Sequence, residues 1–230
     1  MEALKSDREI EKITIAKGAD GSVQKIAGKA KDRKVPVFFA DRQRLDKLAG
    51  GTGHQGVVAV VSDYRYCTVD DILARAAERG EDPFVILLDG LEDTHNLGAI
   101  MRTAECAGAH GIIIPKRRSV SVTDVVAKTS AGAVEYMLCA KVANVGAAIE
   151  KLQNAGVWIC AVDMDGEAMT ARDLTGPIGL VIGGEGSGVG RLVKEKCDFV
   201  VSIPMKGRIT SLNASNAAAI LMYEVVRQRG

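Results

Sequence analysis

The chain has 230 residues, of which 47% are apolar and 26% charged, as in a soluble globular protein of one large or two small domains. Its apolar runs are shorter than the ~20 residues of a membrane-spanning helix, and the opening MEALKSDREI lacks the apolar segment of a secretory signal. The formal net charge is +1, but residues 1–66 carry +4 and the remainder −3.

The cysteines and histidines indicate no metal site. Five cysteines are scattered singly, without a C-x-x-C pair, and three histidines give no zinc-ligand spacing. We therefore expect reduced thiols and a cytoplasmic protein. The basic stretch KIAGKAKDRK (25–34) is either a nucleic-acid patch or a solvated helix face. An aromatic content of 4% argues against base-stacking platforms.

Residues 1–66 predict a small α/β unit. In chain order we expect an edge strand in 8–17 after a short helix, a helix over 21–34, a strand over 35–40, a helix from Asp41 to about 50, and a strand over 56–62. Residues 67–82 predict a helical linker that ends near Gly80.

From residue 83 the pattern changes to alternating strands and helices. Strands are expected over 84–90, 111–115, 136–142, 157–164, 178–184 and 199–205, and helices near 97–108, 121–130, 144–155, 187–196 and 212–228. The strands are apolar throughout, which is typical of a mostly parallel sheet with helices on both faces.

Three polar segments follow strand ends, where α/β sheets bind ligands. They are DGLEDTHNLGAIMRTAECAG (89–108), IGGEGSGVG (182–190) and IPMKGRITSLNASNAAAILMYE (203–224). The second fails the G-x-G-x-x-G pattern at Val189 and is not a P-loop. It is either a glycine turn that a ligand approaches closely or a tight turn with Glu185 near a helix start.

In the first segment, Asn96 stands where a helix is expected to begin and is a candidate cap. Arg102 then lies in a helix that is apolar nearly all round, so it needs a partner. Its side chain is expected to lean over Gly98 and Ala99 toward the mouth of the sheet. The alternative is a structural ion pair with Asp89 or Asp93.

In order and spacing, NLGAIMRTAECAGAHGIII, LVIGGEGSGV and IPMKGRITSLNASNAAAILMYE resemble the three motifs of the SpoU (TrmH-type) RNA ribose 2′-O-methyltransferases of the SPOUT superfamily. The resemblance covers roughly 83–230 and includes SAGA (130–133). The N-terminal portion, with HQGVVAVV (54–61), is similar to that family's substrate-binding domain of the ribosomal L30e-like fold.

This resemblance implies an L30e-like RNA-binding domain (1–66), a linker (67–82) and a SPOUT catalytic domain (83–230) with a deep trefoil knot. It implies S-adenosylmethionine as cofactor, RNA and not DNA as substrate, and a homodimer through the last helix. It is closest to the branch that methylates guanosine in 23S ribosomal RNA; a tRNA substrate is the alternative. Asn216 departs from the family, which usually has an aliphatic residue there.

The resemblance also implies site residues. Cofactor-binding positions are Gly183, Ile203, Met205, Leu212 and Asn213. Catalytic positions are Asn96, Arg102, Glu185, Ser211 and Asn213. Arg102 would orient the ribose hydroxyl and an adjacent phosphate, with direct proton removal as the alternative, because an arginine pKa above ~12 makes a poor base. From the residues alone, a non-catalytic RNA-binding protein stays open, whereas a Rossmann-type nucleotide enzyme is disfavoured by the missing G-x-G-x-x-G pattern.

Overall fold

The computed structural model describes residues 1–6, 8–19, 21–184, 186 and 188–230. Its internal contacts divide it into two units, Met1–Tyr64 and Arg65–Gly230. Within the described residues, none of the helices combines the length and the apolar character that crossing a membrane requires.

The first unit is a three-stranded sheet with two helices. Its elements are β1 (Ile10–Ala16), α1 (Gly21–Asp32), β2 (Val37–Ala40), α2 (Arg42–Ala49) and β3 (Val57–Val61). The strand order is β2-β1-β3, with β2 parallel and β3 antiparallel to β1. The expectation that β1 is an edge strand is therefore wrong. Its side chains Ile13 and Ile15 are buried in one core cluster with Val23 and Ala30 of α1.

The second unit begins with α3 (Val69–Arg79), which lies in the segment expected to be a linker. Thr68 and Asp71 form a reciprocal capping box at its start, and Gly80 ends it in the left-handed conformation, φ +65°. Ile72 is fully buried in the core of the second unit. The helix and its end are as the sequence predicts, but the segment belongs to the fold of the second unit.

Six parallel strands form the sheet of the second unit, in the order β6-β5-β4-β8-β7-β9. Its strands are β4 (Phe84–Asp89), β5 (Gly111–Pro115), β6 (Cys139–Val142), β7 (Trp158–Ala168), β8 (Ile178–Gly183) and β9 (Phe199–Ser202). Its further helices are α4 (Thr94–Cys106), α5 (Asp124–Thr129), α6 (Val145–Asn154), α7 (Arg191–Lys194) and α8 (Ala214–Arg229). The predicted α/β fold with a mostly parallel sheet is confirmed; the trefoil knot stays a prediction.

The central strand β4 shows why this sheet forms. Five of its six residues are buried, from Phe84 to Leu88, so both faces are covered. Burial on two faces excludes an antiparallel sheet with one face in water. One half of the sheet consists of β4, β5 and β6, which are consecutive in the chain. The other half continues from β4 with β8, β7 and β9. The carboxyl ends on that second side carry the candidate site.

Candidate active site

A cavity of about 580 Å³ lies at the carboxyl ends of β7, β8 and β9. Its walls are mostly backbone and apolar side chains. The lining residues are Val162, Asp163, Met164, Ile182, Gly183, Gly184, Gly186, Gly188, Ile203, Met205, Thr210, Ser211, Leu212, Asn213, Ala214 and Ala217. The structure thus brings together six positions that the sequence singled out, Gly183, Ile203, Met205, Ser211, Leu212 and Asn213.

The second segment is a turn that runs very close to other backbone. A Cβ on Gly183 would overlap the backbone of Gly188, and one on Gly184 would overlap the carbonyl of Gly90. The amides of Gly184 and Gly190 donate to the carbonyl and the carboxylate of Asp89, both at 2.8 Å. Only residues without a side chain allow this approach, so the glycines here have a steric reason.

One predicted catalytic position in this turn has no structural description. Glu185 lies outside the described residues, so its predicted role stays a prediction.

The third segment leaves the sheet where β9 ends at Ser202, two residues before Pro204. Its last residues face the cavity, and α8 follows with Ala214 and Ala217 in the cavity wall. Small side chains are needed at both positions, because larger ones would enter the cavity. Asn216 is exposed, so the departure from the family's aliphatic residue does not disturb packing within this unit.

Asn213 joins the third segment to the first. Its Oδ1 accepts from the backbone amides of Ser215 and Asn216, at 3.0 and 3.3 Å, which makes it the N-cap of α8. Its Nδ2 donates to Asn96 Oδ1 at 3.0 Å. Asn96 is 5% exposed and so lies buried beside this cap. Two predicted polar positions, 117 residues apart in the chain, are therefore in direct contact.

Asn96 does not cap its own helix, contrary to the sequence expectation. The N-cap of α4 is Asp93, whose carboxylate accepts from the amide of His95 at 2.8 Å. Asn96 lies in the first turn instead. The helix starts earlier because Asp93 is an equally good cap residue and its carboxylate is favoured at a helix N-terminus.

Arg102 is exposed, so the expectation of a helix buried all round is wrong. Only one face of α4 is buried. Gly98 on that face packs so tightly on α5 that a Cβ would overlap Thr129 Oγ1, and the space over Gly98 is therefore filled. Arg102 makes no hydrogen bond or ion pair with the described residues. The structural alternative is not supported either, because Asp89 and Asp93 bind backbone amides.

A fixed carboxylate in the cavity wall was missed by the sequence analysis. Asp163 lies in β7 where the pairing with β9 is interrupted, and it accepts from the amide of its neighbour Met164 at 2.7 Å and from Lys194 Nζ at 3.0 Å. Lys194 also binds Asp165 at 2.5 Å, and these two carboxylates, Asp165 foremost, raise the pKa of Lys194. No local signal marked it, since Asp163 lies inside the predicted strand 157–164 and its partner Lys194 is 31 residues away in the chain.

Two family models match the chain. The model of the SpoU rRNA Methylase family matches residues 83–223, and the model named RNA 2′-O ribose methyltransferase substrate binding matches residues 1–67. The chain belongs to the SpoU methylase family. The YacO protein of Bacillus subtilis (strain 168), assigned to the TrmH family of tRNA/rRNA methyltransferases, is 48% identical to this SpoU chain; the match covers 100% of this chain and 92% of YacO.

Solved structures of SpoU enzymes share the fold. The SpoU methyltransferase AviRb of Streptomyces viridochromogenes, in complex with AdoMet, has TM-score 0.84 and 26% identity over 99% of this chain and 86% of AviRb. An AdoMet-bound rRNA methyltransferase of Sinorhizobium meliloti has TM-score 0.80 and 25% identity, covering 98% and 83%. A TrmH/SpoU tRNA modifying enzyme of A. aeolicus has TM-score 0.60 and 27% identity, covering 70% of this chain and 84% of its own.

The chain is thus an RNA methyltransferase that uses S-adenosylmethionine. Its cavity fits that cofactor. A volume of about 580 Å³ lies within the range of about 300–1,000 Å³ for pockets that enclose drug-sized molecules. Glycine backbone at 183 and 184 permits close approach, apolar side chains line the walls, and the Asp163 carboxylate can accept hydrogen bonds from hydroxyl or ammonium groups.

Proposed function

We propose that this SpoU enzyme methylates the ribose 2′-hydroxyl of a guanosine in 23S ribosomal RNA, as a homodimer in the cytoplasm. One observation carries the choice of ribosomal RNA. The rRNA methyltransferase of S. meliloti aligns with 98% of this chain, including the first unit, whereas the A. aeolicus tRNA modifying enzyme aligns with 70%. A substrate-binding unit shared with the former supports a shared class of RNA.

The roles of the site residues follow from their places. Bound S-adenosylmethionine supplies an electrophilic methyl group. Backbone at Gly183, Ile203 and Leu212 would hold it in the cavity, with Met205 at its wall. The exposed Arg102 is available to a substrate, since no described residue pairs with it. Its planar guanidinium would orient the ribose hydroxyl and a neighbouring phosphate, and it would stabilise the negative charge that develops on the hydroxyl oxygen as the proton passes to water. Direct proton removal by Arg102 is disfavoured, because an arginine guanidinium keeps its proton in proteins.

The exposed face of α8 supports the homodimer. Leu221, Met222 and Val225 are fully buried in their own unit, but Ile220 and Tyr223 remain 37% and 50% exposed. Positions 220 and 223 are one helical turn apart and share a face. A helix of a monomer normally buries its apolar stripe and exposes polar residues elsewhere. We therefore expect a second copy of the chain to cover Ile220 and Tyr223.

The experiment compares 2′-O-methylation maps of ribosomal RNA and tRNA from cells with and without the gene. We expect one 23S guanosine to lose its methyl group, and purified protein with S-adenosylmethionine to restore it on RNA from the deletion strain. Loss of a methyl group in tRNA alone would instead establish the tRNA alternative. Unchanged maps and no methyl transfer in vitro would support a non-catalytic RNA-binding protein.

A further inference from the structure

The first unit exposes two consecutive phenylalanines on one strand. Phe38 and Phe39 lie on β2 and are 54% and 62% exposed, although the whole chain has only four phenylalanines. Among the described strands β2 pairs only with β1, so its other side is an open edge. Successive strand residues point to opposite faces, and at an edge both faces are accessible. Burial of these rings within this unit therefore does not explain them.

Unpaired cations surround the same edge. Lys17 donates its backbone amide to the carbonyl of Ala40 at 2.9 Å, which places it beside the end of β2. Helix α2 begins two residues after β2. Its exposed basic side chains are Arg42, Arg44 and Lys47. None of these four cations forms an ion pair with a residue in the described part of the chain. Of the acids in this stretch, Asp41 is exposed and Asp46 is bound to His54 at 3.0 Å.

The placement of two arginines is informative. Arg42 and Arg44 lie in the first turn of α2, which contains no acidic residue. Carboxylates stabilise that end of a helix and cations destabilise it, each by about 0.3–1 kcal/mol. Helix stability therefore does not explain the two arginines, whereas a negatively charged partner does.

We propose that Phe38 and Phe39, with Lys17, Arg42 and Arg44, form a contact surface for unpaired nucleotides of the RNA substrate. The bases stack on the two rings and the phosphates lie against the cations. Every base has a π-face, so such stacking tolerates sequence and requires single-stranded RNA. The inference rests on the RNA-methylating function proposed above. It differs from the expectation drawn from the aromatic content of 4%, because two of the four phenylalanines lie next to each other on one edge strand.

The experiment measures RNA binding by the full-length protein. The probes are a fluorescein-labelled 12-nucleotide oligo(U) and a 12-base-pair RNA duplex, followed by fluorescence anisotropy. We expect the double variant Phe38→Ala/Phe39→Ala to bind the oligonucleotide at least about tenfold more weakly, because stacking contributes about 1–3 kcal/mol per base. Duplex binding should change less than about threefold, because paired bases do not stack on protein rings. Phe38→Tyr/Phe39→Tyr should bind both probes like the wild type.

Matched variants keep the inference falsifiable. Phe38→Leu/Phe39→Leu retains apolar volume without flat rings and should also weaken oligonucleotide binding, even if the alanine variant does not fold. Circular dichroism and thermal denaturation of the full-length protein report whether the first unit of each variant is folded, and binding of S-adenosylmethionine reports the same for the second unit. Arg42→Ala/Arg44→Ala should weaken both probes and reduce the slope of log affinity against log salt, because fewer counterions are released.

Three outcomes would overturn the inference. The first is a wild-type protein that does not bind oligo(U) at micromolar concentration. The second is a leucine variant whose affinity for the two probes falls equally, or whose affinity for both probes is unchanged. The third is that Phe38→Leu/Phe39→Leu has a lower molar mass than the wild type by light scattering and binds RNA with unchanged affinity. That result would make this edge a contact between copies of the chain. A failure to methylate 23S RNA, with ring-dependent oligonucleotide binding retained, would refute the substrate assignment and leave this surface standing.

Discussion

Asn213 permits a sharp test of the link between the cofactor segment and α4. In Asn213→Ala, the backbone amides of Ser215 and Asn216 lose their acceptor and Asn96 loses one hydrogen-bond donor. In Asn213→Ser, a hydroxyl can still cap α8, but the shorter side chain does not extend to Asn96. The two variants therefore separate the cap from the contact between segments.

The hydrogen bonds set the expected magnitude. Loss of an asparagine cap costs about 1 kcal/mol, and loss of the hydrogen bond to buried Asn96 costs about 1 kcal/mol more. Asn213→Ala should then destabilise the second unit by about 2 kcal/mol, which lowers its Tm by roughly 4–8 °C for a unit of this size. Asn213→Ser should lose about half as much. Because residues 210–213 line the cavity, Asn213→Ala should also weaken cofactor binding, by about tenfold or 1.4 kcal/mol.

Thermal denaturation and isothermal titration with S-adenosylmethionine measure the two quantities. Ser215→Ala, whose hydroxyl also binds Asn213 Oδ1 at 2.6 Å, serves as the control for a nearby change that preserves the cap. If Asn213→Ser is as unstable as Asn213→Ala, the cap contributes nothing. If both variants match the wild type in Tm and in affinity, the connection between the segments has no energetic role.

The other predictions concern catalysis, the cofactor, pH and assembly. Arg102→Ala should keep Tm and cofactor affinity but lower single-turnover methylation by about 10²–10³-fold, and a near wild-type rate would remove its proposed role. Asp163→Asn should weaken the binding of S-adenosylmethionine, measured by titration, while the protein stays folded. Unchanged affinity would mean that the Asp163 carboxylate does not contact the cofactor. Burial lowers the pKa of His110, so the unfolded chain takes up a proton first and stability should fall as the pH drops below about 6.5. His110→Asn should flatten that part of the Tm–pH curve. Ile220→Asp/Tyr223→Asp should be monomeric by light scattering at micromolar concentration if α8 is the dimer contact.

Most of the fold was predictable because the strands have a recognisable sequence pattern. The strands of the second unit are continuous apolar runs, and burial on both faces follows from that pattern. Pairing partners were less accessible. β1 was expected to be an edge strand, yet it pairs with β2 on one side and with β3 on the other. Local composition cannot reveal which distant strands arrive beside it.

The site was predictable in its segments but not in its contacts. Motif spacing identified the loops that line the cavity, because they follow strand ends. The N-cap of α4 was misassigned, since Asp93 and Asn96 are both good caps and only the backbone path decides between them. Asp163 escaped notice because its function depends on Lys194, 31 residues away in the chain, and such a contact has no local signature.

Helix α4 connects the cofactor cavity with the residue proposed to position the substrate. Asn96 is tied to the cap of α8 at the cavity, while Arg102 is exposed six residues later, about 9 Å along the axis of a regular helix. A Cβ at Gly98 would overlap the Thr129 side chain, so α4 lies close against α5 at this point. In the proposed role of Arg102, a substrate bound there would lie at a set distance from the segment that lines the cofactor cavity. Since positioning errors of about 1 Å can cost about 10²-fold in rate, loosening α4 with Asn213→Ala should reduce methylation beyond what its weaker cofactor binding explains, even at saturating S-adenosylmethionine.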